Sequence, residues 1–246
     1  MLICAFARSD PGRVRDRNED SHHPGRTLFA VADGLGGHSA GEVASATAVR
    51  VLARLDGMRP ASVEAAREQL VAAFEEANRV VRDEAALDPA HAGMGTTLTA
   101  ALLAGEQLVI AHVGDSRAYL LRPGEPLRQL TDDQTVVAEM VRQGRLSRDQ
   151  AASHPYRSVL TTAIGLEWEV DVQLPPPLPL QPGDQVLLCS DGLTEPVGED
   201  TIAELLMSSP DGDATCDALV DAANAAGGPD NVTVVLVRTA RGDPAA

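Results

Sequence analysis

The stretch TLFAVADGLGGH, residues 27–38, joins a short apolar run to a glycine-rich turn through the acidic residue Asp33. An apolar run of this length bounded by turn residues predicts a buried β-strand, here at residues 27–32. The glycines of the turn allow the backbone to approach a ligand closely. A carboxylate at the tip of such a strand is not expected in the core, because burying an unpaired charge is very costly.

The same arrangement recurs at three other places in the chain. Asp191 follows the apolar run 186–189, Asp115 follows the run 108–113, and Asp230 directly precedes the run 232–237. If these carboxylates converged with Asp33, they would repel one another strongly unless a cation lay between them. Carboxylate oxygens are ligands that Mg²⁺ and Mn²⁺ prefer. Each Asp-Gly or Pro-Asp pair alone is also a common turn, but together they indicate the all-oxygen metal site of a metal-dependent hydrolase.

Composition narrows the class of protein further. The chain has 246 residues, of which 44% are hydrophobic and only 2% aromatic, so a globular core must be built from Ala, Val and Leu. A net charge of −16 gives no electrostatic reason to bind nucleic acid or an anionic membrane. The three cysteines fit a reducing compartment. We expect a cytoplasmic protein, since neither a signal peptide nor an apolar run of about 20 residues is found.

The pattern along the chain predicts an α+β fold. Strand patterns lie at residues 2–7, 27–32, 96–103, 107–113, 117–121, 127–130, 185–189 and 232–239, and helical patterns at 40–55, 62–87, 135–143, 147–153, 202–208 and 216–226. Because the strands come in runs joined by short turns, we expect mostly antiparallel sheets covered by helices. Residues 132–165 are typical of a functional lid inserted between strands. We predict a single domain over residues 1–241 and a frayed tail at 242–246.

Six segments then carry a resemblance to a known family. In chain order they are GRVR at 12–15 with NEDS at 18–21, ADGLGGH at 32–38, GMGTT at 93–97, VGDSR at 113–117, SDGL at 190–193 and GPDNVT at 228–233. This series resembles the metal-dependent protein phosphatases (PPM), the type 2C serine/threonine phosphatases, and most closely the bacterial members partnered with membrane serine/threonine kinases. The resemblance runs from about residue 9 to 237. It implies an α-β-β-α sandwich of two mostly antiparallel sheets flanked by helices.

The resemblance also implies a ligand set for two ions of Mn²⁺ or Mg²⁺. Asp33 would bridge the two metals, Asp191 and Asp230 would hold one of them, and the carbonyl of Gly34 would help to hold the other. Such a pair of ions lowers the pKa of a bound water and makes hydroxide available at neutral pH.

Further acidic residues are implied around this pair. Glu19 and Asp20 would act near the second metal, mostly through bound waters. Asp115 would hold a third, weaker metal together with Asp191 and Ser158, which lies in the predicted lid.

The implied reaction is hydrolysis of phosphoserine and phosphothreonine on proteins by direct attack of the metal-activated water. Arg15 is the candidate for gripping the phosphoryl oxygens; the alternative is a surface salt bridge. His38 is the candidate donor of a proton to the leaving oxygen; the alternative is a histidine that packs or caps at the start of a helix. His154 of the lid is a candidate for substrate contact.

The residues Asp132-Asp133-Gln134 depart from the family, in which Asp-His is common at this point.

The implied partners are phosphorylated proteins, namely a serine/threonine kinase and its substrates. No apolar surface stripe demands a second copy, so we expect a monomer. Two other hypotheses stay open at this point. One is a non-catalytic member that binds phosphoproteins or metal, since fold alone does not guarantee function. The other is a phosphatase that acts on the small regulatory domains of sigma-factor control.

Overall fold

The computed structural model describes residues 1–35 and 40–241, so His38 and the tail at 242–246 lie outside the described residues. The strands are β1 (Leu2–Asp10), β2 (Ser21–Pro24), β3 (Leu28–Ala32), β4 (Gly34–Leu35), β5 (Gly95–Thr96), β6 (Leu98–Ala104), β7 (Gln107–Val113), β8 (Arg117–Leu121), β9 (Arg128–Gln129), β10 (Leu178–Pro179), β11 (Gln185–Cys189) and β12 (Val232–Ala240). The helices are α1 (Ala40–Leu52), α2 (Val63–Leu87), α3 (Val136–Arg142), α4 (Arg148–Ala152), α5 (Asp191–Thr194), α6 (Glu199–Ser208) and α7 (Gly212–Ala225). Among these helices, none combines the length and the apolar character needed to cross a bilayer.

The strands form two five-stranded sheets that pack face to face. One has the order β1-β12-β11-β8-β9 and the other the order β10-β7-β6-β3-β2, and every neighbouring pair is antiparallel. Helices α1 and α2 cover the outer face of the second sheet, while α6 and α7 cover that of the first. The α-β-β-α sandwich expected from the sequence is therefore confirmed.

Alternation along each strand explains this layering. In β3, Leu28 and Ala30 pack beneath α1 and α2, whereas Phe29 and Val31 face the opposite sheet. Strands β11 and β12 show the same alternation between the outer helices and the space between the sheets. Since side chains alternate with a period of two, continuing β3 by one step beyond Ala32 turns the side chain of Asp33 toward the space between the sheets.

The structure differs from the predicted elements at several places, and three of the differences have a local reason. Strand β2 has the polar sequence SHHP, which carries no apolar run, and it forms because it pairs with β3. Helix α1 ends at Leu52 and is followed by a separate 3₁₀ turn, Ala53–Leu55. Helix α7 begins at Gly212 rather than 216, because the carboxylate of Asp211 accepts a hydrogen bond from the backbone N–H of Asp213 and caps the helix.

A buried ion pair fixes the turn before β11. The fully buried carboxylate of Asp184 accepts hydrogen bonds from Nε and Nη2 of Arg122, at 2.8 and 2.7 Å, and from the backbone N–H of Gln181 at 2.8 Å. Asp184→Ala is expected to lower the free energy of unfolding by about 3–5 kcal/mol, because it leaves these donors without their partner. Urea denaturation measures this loss, and kcat per folded molecule should stay unchanged because Asp191 lies beyond the opposite end of β11.

Candidate active site

The predicted carboxylates lie at one end of the sandwich. Strands β2 and β3 pair so that Asp20 and Asp33 lie at the same end of their sheet. Strand β7 reaches this sheet through β6, and its pairing places Asp115 at that end as well. In the facing sheet, β11 and β12 pair so that Asp191 and Asp230 lie at the corresponding end of that sheet. The antiparallel registers thus bring residues from four distant parts of the chain to one cleft.

Direct contacts join the two sheets at this end of the sandwich. The hydroxyl of Ser190 donates a hydrogen bond of 2.8 Å to Oδ2 of Asp20, and the carboxyl groups of Asp33 and Asp191 lie within hydrogen-bonding reach of each other. Two carboxyl oxygens, Oδ1 of Asp20 and Oδ1 of Asp191, are buried and have no hydrogen-bond partner among residues 1–35 and 40–241. Buried polar atoms are normally paired, so these two oxygens fit the role of cation ligands.

Burial and mutual repulsion oppose ionisation of this cluster. Burial, together with the neighbouring carboxylates, raises the pKa of Asp20 to about 7, that of Asp115 to about 8 and that of Asp191 to about 6. Burial and the charges of Asp20 and Asp191 raise the pKa of Asp33 well above its usual value. The group therefore cannot be fully ionised at neutral pH unless positive charge is supplied.

The donor set fits a hard divalent cation that keeps part of its water. Among residues 1–35 and 40–241, no three Asp, Glu, His or Cys side chains are grouped so as to hold a metal ion by themselves. Ions held here would take further ligands from water and from main-chain oxygens, as Mg²⁺ commonly does. The carbonyl of Gly34, in β4 directly after Asp33, stays a predicted ligand of this kind.

These pKa shifts predict how stability depends on pH. A carboxyl group whose pKa is raised by folding stabilises the fold while it is protonated, and this contribution is lost as pH rises through the raised value. With EDTA present, Tm is expected to fall between pH 6.5 and 8.5 as Asp20 and Asp115 ionise. Buried His112, with its pKa lowered to about 4, acts in the opposite direction but only below pH 6.5.

Scanning calorimetry over this range, with EDTA and with excess Mn²⁺, checks the prediction. Mn²⁺ should raise Tm more at pH 8.5 than at pH 6.5, because metal and protons compete for the same carboxylates. A flat Tm in EDTA across the range would contradict it.

Arg15 lies at the rim of the cleft. Its Nη2 donates a hydrogen bond of 2.7 Å to Oδ2 of Asp230, and its side chain is 56% exposed. The structure therefore contains the salt bridge that was the alternative interpretation of Arg15. Its partner, however, is one of the acids that the resemblance assigns to a metal, which places the guanidinium directly beside the candidate centre.

Two glycines permit the close approach of the segments that carry these groups. A Cβ at Gly192 would overlap the carbonyl oxygen of Asn231, so glycine is required where Asp191 passes the start of β12. Gly12 has a φ of +81°, which side chains rarely adopt, and a Cβ there would overlap the carbonyl oxygen of Asp230. The glycines in the SDGL and GRVR motifs thus serve packing at the site.

Glu19 and the threonines of the GMGTT motif lie beside the carboxylates at the strand ends of the second sheet. Glu19 is half-buried, and burial raises its pKa above the usual value. Oγ1 of Thr97 accepts a hydrogen bond of 2.9 Å from the N–H of Asp33, and Oγ1 of Thr96 donates one of 2.8 Å to its carbonyl. These two threonines were not singled out from the sequence, although they stand in a motif that was.

The segment predicted as a lid overhangs the cleft. A cavity of about 720 Å³ extends from Asp115 and Asp191 to helices α3 and α4, and it is also lined by Arg117, Arg148 and Arg157. These three arginines were not among the candidate site residues named from the sequence. Only Arg117 carried a signal, since it ends the VGDSR motif.

The two lid residues named from the sequence form hydrogen bonds within the chain, and their predicted roles stay predictions. The hydroxyl of Ser158 donates a hydrogen bond of 3.2 Å to Oε1 of Glu195, and no hydrogen bond joins it to Asp115 or Asp191. His154 accepts a hydrogen bond of 3.2 Å from the N–H of Tyr156 within the lid. Ser158 is thus joined by a hydrogen bond to Glu195, four residues after Asp191.

The departure at Asp132-Asp133-Gln134 fastens the base of the lid. Asp133 accepts two hydrogen bonds from Arg117, at 2.8 and 2.7 Å. Buried Gln134 accepts one of 2.7 Å from the N–H of Gly114, and its own N–H donates to the Gly114 carbonyl at 2.8 Å. These residues thus bind the lid to the turn that carries Asp115.

Two helix-covered antiparallel sheets, with a cleft between them lined by carboxylates, form the architecture that the resemblance to the type 2C phosphatases implies. A family model described as Protein phosphatase 2C matches residues 13–226, and the chain belongs to this family.

Similar proteins come from several bacteria. The serine/threonine protein phosphatase PstP of Mycobacterium tuberculosis is 45% identical over 237 residues, which are 96% of this chain and 45% of that protein, so the chain spans about half of that relative's length. The serine/threonine phosphatase stp of Listeria monocytogenes is 42% identical over 241 residues, covering 94% of this chain and 93% of that protein. A crystal structure of the PstP catalytic domain in complex with two manganese ions has a TM-score of 0.86 at 41% identity, covering 97% of this chain and 99% of that one.

Proposed function

We propose that this chain is a Mn²⁺- or Mg²⁺-dependent serine/threonine protein phosphatase that opposes serine/threonine kinases in bacterial signalling, as a cytoplasmic monomer. The single observation that carries the proposal is the convergence of buried carboxylates with raised pKa values on one cleft. Membership of the type 2C family and the names of the relatives support it.

We assign the following roles to the residues of the cleft. Asp33, Asp191 and Asp230 would hold two metal ions, with the carbonyl of Gly34, and Asp20 would act through bound water. The bound ions would supply hydroxide at neutral pH and polarise the phosphoryl group. Asp33 belongs to one sheet, and Asp191 and Asp230 belong to the other. The packing of the two sheets therefore sets the distances between these ligands.

Two side chains would act on the substrate rather than on the metals. Arg15 would bind two phosphoryl oxygens with its planar guanidinium and offset the charge that develops on them. It would exchange its contact with Asp230 for one with substrate, and its exposure at the rim allows this. His38 would protonate the leaving serine or threonine oxygen.

Two further acidic residues and the lid would have supporting roles in catalysis. Asp115 would hold a third metal, and Glu19 would orient water near the second one. The lid would contact the protein substrate through the face that lines the cleft, and His154 and Ser158 would adjust that contact.

Hydrolysis of p-nitrophenyl phosphate and of a phosphothreonine peptide by the metal-stripped protein tests the proposal. Turnover is expected only after Mn²⁺ or Mg²⁺ is added. A folded sample that binds Mn²⁺ but hydrolyses neither substrate would contradict it and would favour a binding module.

A further inference from the structure

The loop between β1 and β2 carries Arg15 and Glu19, yet it contains neither helix nor strand. Its apolar residue Val14 is 68% exposed, so the loop has little hydrophobic anchorage. A segment of this kind is ordered mainly by its hydrogen bonds. The contacts of its backbone therefore decide how well Arg15 is positioned.

Asn231 supplies three of these contacts, while the N–H of Arg13 donates to the carbonyl of Gly228 at 2.8 Å and the hydroxyl of Ser45 donates to the carbonyl of Glu19 at 2.6 Å. The side chain of Asn231 is buried at the start of β12, where Nδ2 donates to the carbonyls of Pro11 and Arg17, at 2.9 and 2.8 Å. Its Oδ1 accepts a hydrogen bond of 2.8 Å from the N–H of Glu19. Three of the side chain's hydrogen-bonding groups thus bind three points of one loop, on both sides of Arg15.

The backbone of Asn231 is fixed at the same time. Its N–H donates a hydrogen bond of 2.8 Å to Oδ1 of Asp230, whose other oxygen, Oδ2, accepts from Arg15. One turn therefore sets both the position of the loop and the position of the carboxylate that Arg15 contacts. An asparagine is needed here, because only an amide both donates to the two carbonyls and accepts from the N–H.

We infer that Asn231 is a positioning residue, which holds the loop of residues 11–19 so that Arg15 faces the phosphoryl group and Glu19 faces the carboxylate cluster. This inference rests on the proposed phosphatase activity. Asn231 itself would touch neither substrate nor metal. Its effect would pass through Arg15 and would appear as weaker phosphate binding.

Asn231→Asp tests this with almost no change in shape. A carboxylate cannot donate, so it repels the carbonyls of Pro11 and Arg17 and releases the loop. With saturating Mn²⁺, KM for p-nitrophenyl phosphate and the inhibition constant of inorganic phosphate are expected to rise about tenfold, with a smaller change in kcat. Asn231→Ser, which keeps a small polar group, should give a rise in the same direction if the aspartate variant does not fold.

Asn78 offers a matched control. It is also buried, its Nδ2 donates to the carbonyls of Glu167 and Trp168, at 3.0 and 3.4 Å, and its Oδ1 accepts from the N–H of Gly165 at 2.7 Å. Asn78→Asp should lower Tm in the same way as Asn231→Asp. It should leave KM for p-nitrophenyl phosphate unchanged, because the loop it holds carries none of the assigned groups.

A double-mutant cycle with Arg15→Ala identifies the route of the effect. If Asn231 acts through Arg15, Asn231→Asp should add little to KM once Arg15 is absent. An equal rise in both backgrounds, or an unchanged KM in Asn231→Asp, would overturn the inference. Failure of the proposed function is distinguishable, since the wild-type protein would then show no metal-dependent turnover at all.

Discussion

Asp33→Asn is expected to lower kcat by at least about 10³-fold and, at pH 8, to raise the Tm of the metal-free protein. Activity is lost because Asp33 is assigned to both metals, and an amide is a poorer ligand than a carboxylate. Stability rises because burial and repulsion already raise the pKa of Asp33, so its charge destabilises the metal-free fold at this pH. Steady-state kinetics with Mn²⁺ and calorimetry with EDTA measure the two effects on one preparation.

Asp56 provides the opposite case as a control. Its carboxylate accepts hydrogen bonds from the backbone N–H groups of Arg26, Thr27 and Leu28, which lower its pKa below the usual value. Asp56→Asn should therefore lower Tm and leave kcat unchanged. Retained Mn²⁺-dependent turnover in Asp33→Asn, or a lower Tm in EDTA, would contradict the assignment of Asp33.

Arg15→Ala is expected to lower kcat/KM for p-nitrophenyl phosphate about 10²-fold. Arg15→Lys is expected to recover only part of this loss. The guanidinium is assigned to two phosphoryl oxygens, which an ammonium contacts less well. The Mn²⁺ concentration that gives half activation should stay the same or fall, because the variant frees Asp230 from its salt bridge. Titration of activity with Mn²⁺ measures both quantities.

The surface salt-bridge interpretation of Arg15 predicts a different result. Exposed ion pairs contribute at most about 1 kcal/mol, so Arg15→Ala would then change Tm slightly and kcat/KM very little. Arg79→Ala on α2 is the control, since Arg79 forms exposed ion pairs with Glu76 and Asp83 away from the cleft. Equal kinetics in the two alanine variants would remove Arg15 from the mechanism.

Most of the sandwich could be predicted because its strands are apolar runs bounded by turns. Leu28–Ala32 and Gln185–Cys189 are almost wholly buried, so their composition identifies them without any knowledge of their partners. Ser21–Pro24 could not be found in this way, since its polar side chains are set in a strand only by pairing with β3. Patterns that depend on a partner elsewhere in the chain are not visible in a local window.

Some features of the candidate site could also be predicted from the sequence, and others could not. Carboxylates at strand ends are visible in the sequence, and antiparallel pairing explains why Asp20 lies beside Asp33, whereas Asp33 meets Asp191 through the face-to-face packing of the two sheets. The contacts of Asn231 with Pro11, Arg17 and Glu19 span more than 200 residues of chain, and nothing near Asn231 in the sequence indicates them. Similarly, Glu195 became a neighbour of Ser158 only through the packing of the lid.

Anomalous scattering from crystals grown with Mn²⁺ tests the central claim most directly, because it locates the ions themselves. We expect two strong anomalous peaks, about 3.5–4 Å apart, with Asp33 between them and with Asp191 and Asp230 beside one of them, and a weaker third peak at Asp115. Peaks elsewhere on the chain, or no peak in the cleft at saturating Mn²⁺, would contradict the assignment of these carboxylates as the metal centre.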